Sequence, residues 1–350
     1  MPSKAHVRPD SIRLESSSFC QLRCPSCPTT VKAIDGAIGR GFLKLSDFRA
    51  LIEANPRLNT IELSNYGEMF LNPELLPMMR YAFEKGVSLT ARNGVNLNYA
   101  REEVLEGLAR YRFRQMSCSI DGASQETYEQ YRVRGDFAAV IHNIRTINAY
   151  KKKYDSRHPL LIWQFVVFGH NEHEIPLARQ MAEELDMQLH LKLTWDPEFS
   201  PIRDPERVRS QMPDRVASRD EVRERTGRDY MQNICHQLWF QPQVNWDGKM
   251  LGCCRNFWGD FGGNVFRDGL DATVNNEKMR YARAMLRGQA DPRPDIPCAT
   301  CEIYLGMKDS SRWLTVSPRT HAERAAGRMR RSIRRMLGRL QRRMTSEPSA

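Results

Sequence analysis

The sequence predicts an α/β protein built on a parallel sheet, and two observations carry that expectation. Six short strand-like segments alternate with five helix-like ones through the first 195 residues, an alternation that sets successive strands side by side under covering helices. The chain is also 350 residues long with 41% hydrophobic residues. That length exceeds one average domain, so a large α/β domain followed by a smaller one is the default.

The strand-like segments are residues 11–16, 60–63, 87–92, 114–120, 160–168 and 187–193. Each is short, apolar or alternating, and bounded by Asn, Gly or Asp. Helical patterns over residues 46–54, 73–85, 101–111, 137–151 and 175–185 fall between them. In such a sheet the functional loops gather at the C-terminal ends of the strands. Residues 10–195 read as the core domain, 196–229 as a charged connection rich in Pro, Arg, Asp and Glu, 230–315 as a second domain and 316–350 as a basic tail. No stretch reaches the 18 apolar residues of a membrane-spanning helix and the N-terminus carries no apolar signal region, so the expected location is cytoplasmic. In that reducing compartment nine cysteines argue for metal or catalysis rather than disulfides.

Cys20, Cys24 and Cys27 form a C-x3-C-x2-C loop directly after the first strand. Three thiolates at one strand end suit an iron-sulfur cluster or zinc; structural core cysteines are the other reading of the residues alone. The triad closely resembles the signature of the radical S-adenosylmethionine (radical SAM) enzymes. In that family three cysteines hold a 4Fe-4S cluster whose open iron binds S-adenosylmethionine, and the fold is a partial six-stranded (β/α)6 TIM-like barrel.

Four further segments fall where the resemblance requires them. The run from Asn65 to Pro73 contains Tyr66-Gly67-Glu68, similar to the family's Gly-Gly-Glu segment that holds the methionine amino group, with Tyr66 at the first Gly position. Arg92-Asn93-Gly94 resembles a Thr-Asn-Gly stop, and on the residues alone reads as a turn. The fourth strand runs into Ser119, Asp121 and, further on, Arg132. Their counterparts meet the nucleoside ribose and the methionine carboxylate, roles that suit a hydroxyl or carboxylate and a guanidinium fork. Gln164 on the fifth strand is a further cofactor-facing candidate. Cys118 is a candidate hydrogen donor, with a buried strand cysteine as the plain reading.

Cys235, Cys253, Cys298 and Cys301 form a second set, with Asp247-Gly248 as a hairpin turn leading back to Cys253 and Cys298/Cys301 as a C-x2-C pair. The residues fit zinc or an iron-sulfur cluster, and Cys254 is an alternative to Cys253. The arrangement resembles the SPASM and twitch auxiliary domains of radical SAM enzymes, which implies a second, fully ligated 4Fe-4S cluster.

The tail carries ten Arg against two Glu, so +8 of the chain's formal +11 lies there. Met329, Ile333, Met336, Leu337, Leu340 and Met344 share one helical stripe. A basic amphipathic helix suits an anionic membrane surface, giving a peripheral location, or an acidic partner; a solvated tail is the alternative. Nucleic acid is disfavoured, because the tail has no aromatic residue for base stacking. The resemblance implies an oxidoreductase that takes electrons from a low-potential donor such as flavodoxin or ferredoxin. The expected substrate is a small polyol, sugar or aminocyclitol, with the auxiliary cluster as electron acceptor; alternatives are a peptide maturase and a non-enzymatic metal-binding scaffold.

Overall fold

The computed structural model describes residues 6–316. The sheet and its helices belong to one compact unit that ends at Trp313. Six strands form in the expected order: β1 Ser11–Leu14, β2 Thr60–Glu62, β3 Ser88–Val95, β4 Gln115–Ser119, β5 Leu160–Val167 and β6 Met187–Leu193. Each pairs parallel with the next. Two short strands extend the sheet from the β1 side, β7 Gln243–Val244 parallel to β1 and β8 Met250–Gly252 antiparallel to β7. The order is therefore β6-β5-β4-β3-β2-β1-β7-β8, an open sheet with β6 and β8 at its edges. The Asp247-Gly248 hairpin forms as expected, and it joins the second cysteine region to the barrel through continuous strand pairing.

Helices α1 Leu45–Ala54, α2 Leu75–Glu84, α3 Glu102–Arg110, α4 Gln125–Tyr131, α5 Phe137–Lys153 and α6 Ile175–Glu184 cover the sheet. Their buried residues recur at helical spacing, Phe48, Leu51 and Ile52 in α1 and Val104, Leu105 and Leu108 in α3. Asp136 starts α5 by accepting the Ala139 N–H. Helix α4 was not expected, because Gln-Glu-Thr-Tyr-Glu-Gln-Tyr has no apolar stripe. Ser124 caps it, it buries Thr127, Tyr128 and Tyr131, and it delivers Arg132 as its C-terminal cap residue.

One further expectation is corrected, and one segment gains structure. Residues 92–94 do not form a turn. Strand β3 continues to Val95 with a register shift against β4 between Ala91 and Val95, and Gly94 has φ 141°, where a Cβ would overlap the Ser119 hydroxyl. The charged segment 196–229 contains α7 Pro205–Gln211 and α8 Arg219–Thr226. Ser218 caps α8 and Gly227, at φ 62°, ends it, while no α8 residue is buried, so hydrophobic periodicity was silent. Arg209 of α7 pairs with Glu221 of α8. Among the described residues no helix is long and apolar enough to cross a membrane. The basic tail with its stripe lies, from residue 317 on, outside the described residues.

Candidate functional site

Beyond β1 the chain passes through buried Glu15, Ser16, Ser17 and Ser18 and then turns into the first cysteine loop. Leu22, Cys24, Tyr131, Val166 and Phe168 form one apolar cluster, against which Cys20, Cys27 and Phe199 pack, so the three cysteines share one neighbourhood. The Cys27 N–H donates to the Cys24 carbonyl at 3.1 Å, closing the turn between them. Burial pushes the Cys20 thiol up to about 12, with the nearby Glu68 carboxylate adding to the effect. Burial also raises Cys24, against the opposing pull of Arg132. A metal bound by Cys20 and Cys24 would displace their protons, so its binding would be linked to pH.

The 66–68 segment lies beside that loop. Glu15 accepts the N–H groups of Tyr66 at 3.0 Å and Gly67 at 3.3 Å. A Cβ on Gly67 would overlap the Ser17 carbonyl oxygen, so this position requires glycine. Tyr66 is not among the non-glycine residues with positive φ. Its departure from glycine therefore brings no backbone strain, and its hydroxyl donates to the Cys254 carbonyl at 2.8 Å. Glu68 is buried, raised to about 7 chiefly by that burial, and accepts from Phe70 N at 3.1 Å and Asn96 N at 2.6 Å. Asn96, which sequence reasoning passed over, places Nδ2 3.7 Å from Cys20 Sγ and accepts from Gln21 Nε2 at 2.8 Å. We expect Gly67→Ala to cost about 1–3 kcal/mol by overpacking. Gly36→Ala, whose Cβ meets nothing within 4 Å, should stay within about 0.5 kcal/mol of wild type. Thermal unfolding of both variants checks this; equal melting temperatures would contradict the requirement at Gly67.

The remaining candidates gather at the ends of β3 to β6. Asp121 is fully buried, accepting the Val166 N–H on one oxygen at 2.7 Å and Arg132 Nε on the other at 2.6 Å. Each Asp121 oxygen thus already accepts one hydrogen bond, and the one from Arg132 holds that guanidinium in place. The Arg132 guanidinium reaches the first cysteine loop, with Nη1 3.5 Å from Cys24 Sγ. Gln164 Nε2 lies 3.3 Å from both the Ser119 hydroxyl and the Asn93 carbonyl, and Asn93 Nδ2 donates to Asn65 at 2.9 Å. Lys192 of β6 completes this group, donating to Gln164 Oε1 at 2.6 Å, with burial lowering its amine to about 8. Sequence reasoning missed Lys192, although a lysine near the C-terminal end of a core strand was a usable signal. Cys118 is fully buried, and strand alternation turns it to the face opposite Ser119. It stays apart from the Ser119 and Gln164 group.

Cys235, Cys253, Cys298 and Cys301 line one cavity, among Ile234, Leu238, Phe261 and other apolar residues. Cys235 comes from a 3₁₀ turn, Cys253 follows β8, Cys298 sits in the turn Pro297–Thr300, and Cys301 precedes helix Glu302–Ser310. Burial pushes Cys253 up to about 12, and the backbone N–H groups of Arg255 and Asn256 point at its sulfur and oppose that rise. Cys254 is directed elsewhere: it does not line the cavity, and its sulfur receives Gln237 Nε2 at 3.4 Å. Geometry thus favours Cys253 in the four-thiol set. Among the described residues no three Cys, His, Asp or Glu side chains are drawn together for a single metal ion. The four thiols instead surround a cavity, which suits a multi-iron cluster.

Residues 235–302 match the SPASM model, an iron-sulfur cluster-binding domain. Streptococcus suis SuiB bound to S-adenosylmethionine is similar at 12% identity, over 85% of this chain and 71% of that one, with a TM-score of 0.60. SuiB bound to its precursor peptide SuiA matches at 12% identity, over 85% and 70%, with a TM-score of 0.57. BtrN in complex with AdoMet and 2-DOIA matches at 14% identity, over 85% and 94%, with a TM-score of 0.46. No curated protein matches the sequence. The chain thus shares the fold of SuiB and, over residues 235–302, matches the SPASM iron-sulfur cluster-binding domain.

Proposed function

We propose that this protein is a radical SAM oxidoreductase whose SAM-binding 4Fe-4S cluster is held by Cys20, Cys24 and Cys27, and whose auxiliary 4Fe-4S cluster is held by Cys235, Cys253, Cys298 and Cys301. The observation that carries the reading is the meeting, at the C-terminal ends of the strands, of buried Cys24 and part-buried Cys20 and Cys27 with the Arg132 guanidinium and the Glu68–Asn96 pair. A metal-binding scaffold has no need of such a pocket. Held by these two cysteine sets, the clusters and S-adenosylmethionine would supply hydrogen-atom abstraction and one-electron transfer.

The chain's own residues bind and orient. Arg132, fixed by Asp121, offers a fork for the methionine carboxylate. Ser119 and Gln164 offer a hydroxyl and an amide for the ribose, while the buried Gly67–Glu68 segment takes the amino group. The apolar cluster around Cys24 excludes water from the cleavage site. Lys192, which donates to Gln164 beside Ser119, suits a hydroxyl-rich small molecule, a polyol, sugar or aminocyclitol. A peptide substrate is the second reading, favoured by the fold shared with SuiB, a protein solved with its precursor peptide. The electron donor is a low-potential protein such as flavodoxin or ferredoxin.

The test is anaerobic incubation of reconstituted protein with S-adenosylmethionine, dithionite and panels of polyols and peptides. Formation of 5′-deoxyadenosine with a loss of two mass units from one panel is expected. No 5′-deoxyadenosine from iron-loaded protein would overturn the reading.

A further inference from the structure

The cavity ringed by Cys235, Cys253, Cys298 and Cys301 contains one polar group whose bonding is incomplete. Arg255 lines that cavity, and its Nε is buried with no hydrogen-bond partner among the described residues. The neighbouring donors are already used. Trp258 Nε1 donates to the Pro297 carbonyl at 3.0 Å, and Asn256 Nδ2 donates to the carbonyls of Leu251 and Gly259, each at 2.8 Å. A buried guanidinium N–H without an acceptor costs free energy that a fold does not retain without compensation. An acceptor held in the cavity would supply it.

The other end of the same side chain is fixed. Arg255 Nη2 donates to Glu302 Oε1 at 2.5 Å. The Glu302 side chain is 66% exposed, so water screens its negative charge and the pair leaves much of the Arg255 positive charge unneutralised beside the cavity that the residue lines. The backbone N–H of the same residue already points at the Cys253 sulfur.

We propose that Arg255 donates its Nε–H to the auxiliary cluster, as a positioning residue that raises the cluster's reduction potential and so favours its acceptance of an electron. The inference rests on the oxidoreductase reading, in which this cluster is the acceptor. Reduction adds one negative charge inside the cavity, and a fixed donor with positive charge stabilises the reduced form more than the oxidised one.

The test is a redox titration followed by electron paramagnetic resonance on full-length, iron-loaded protein in the Cys20→Ala/Cys24→Ala/Cys27→Ala background, where only the auxiliary cluster contributes. Arg255→Met and Arg255→Gln are expected to lower the midpoint so that the reduced-to-oxidised ratio at fixed potential falls at least tenfold, about 59 mV for one electron. Arg255→Lys, which keeps the charge, should recover part of that shift. If Arg255→Met does not retain iron, Arg255→Gln decides. A wild-type midpoint in the iron-loaded neutral variants overturns the proposal, as does loss of the cluster from both, which would make Arg255 a structural support. An unchanged midpoint leaves the oxidoreductase reading standing; that reading fails separately if product forms without the auxiliary cluster.

Discussion

Replacing Cys20, Cys24 and Cys27 together with Ala is expected to halve the iron of anaerobically reconstituted protein, from about eight per chain to about four, and to abolish cleavage of S-adenosylmethionine. The three thiols share one loop packed on a single apolar cluster, so none acts alone. The other cysteine set lies in a separate cavity lined by none of these three residues, and it should keep its iron. Iron and sulfide assays with chromatography of 5′-deoxyadenosine check both halves of the expectation. Retention of cleavage in the triple variant would show that the cofactor is activated elsewhere.

The second large effect is expected from Cys298→Ala with Cys301→Ala. Both residues sit on the short connection into helix Glu302–Ser310, and the Cys301 N–H donates to the Cys298 carbonyl at 3.1 Å, so they present their sulfurs from one turn. Removing them should end product formation while some uncoupled 5′-deoxyadenosine production survives, because the first cysteine loop is untouched. Loss of a four-thiolate clamp also removes binding energy that helps fold the surrounding segment, so circular dichroism belongs with the assay. Full turnover by the folded double variant would make the auxiliary cluster dispensable and remove it as electron acceptor.

Much of this architecture was legible in the sequence because the information was local. Strands β1 to β6 are short apolar runs closed by turn residues, and β6 forms over the residues expected, Met187–Leu193. The cysteine sets were legible because ligand spacing is itself a local pattern. What stayed hidden depended on tertiary partners. Helix α4 has no stripe and exists because Ser124 caps it and two tyrosines find a buried pocket. Gly94 looked like a turn residue, yet its need is for the absence of a side chain beside Ser119. The sequence did not reveal that Asp121 accepts from Val166 and Arg132, a pairing made across the fold. Asn96 and Arg255 carry no motif; only their distances to cysteine sulfur and to the auxiliary cavity mark them.

The central claim is that one chain holds two distinct 4Fe-4S clusters, one of which binds S-adenosylmethionine. Mössbauer spectroscopy of the ⁵⁷Fe-reconstituted protein, with and without S-adenosylmethionine, tests it most directly. The expected spectrum shows about eight irons per chain as two clusters, with one iron of one cluster shifted when S-adenosylmethionine is added and the other cluster unchanged. Stoichiometric zinc with no iron, or two clusters that both ignore S-adenosylmethionine, would contradict the account.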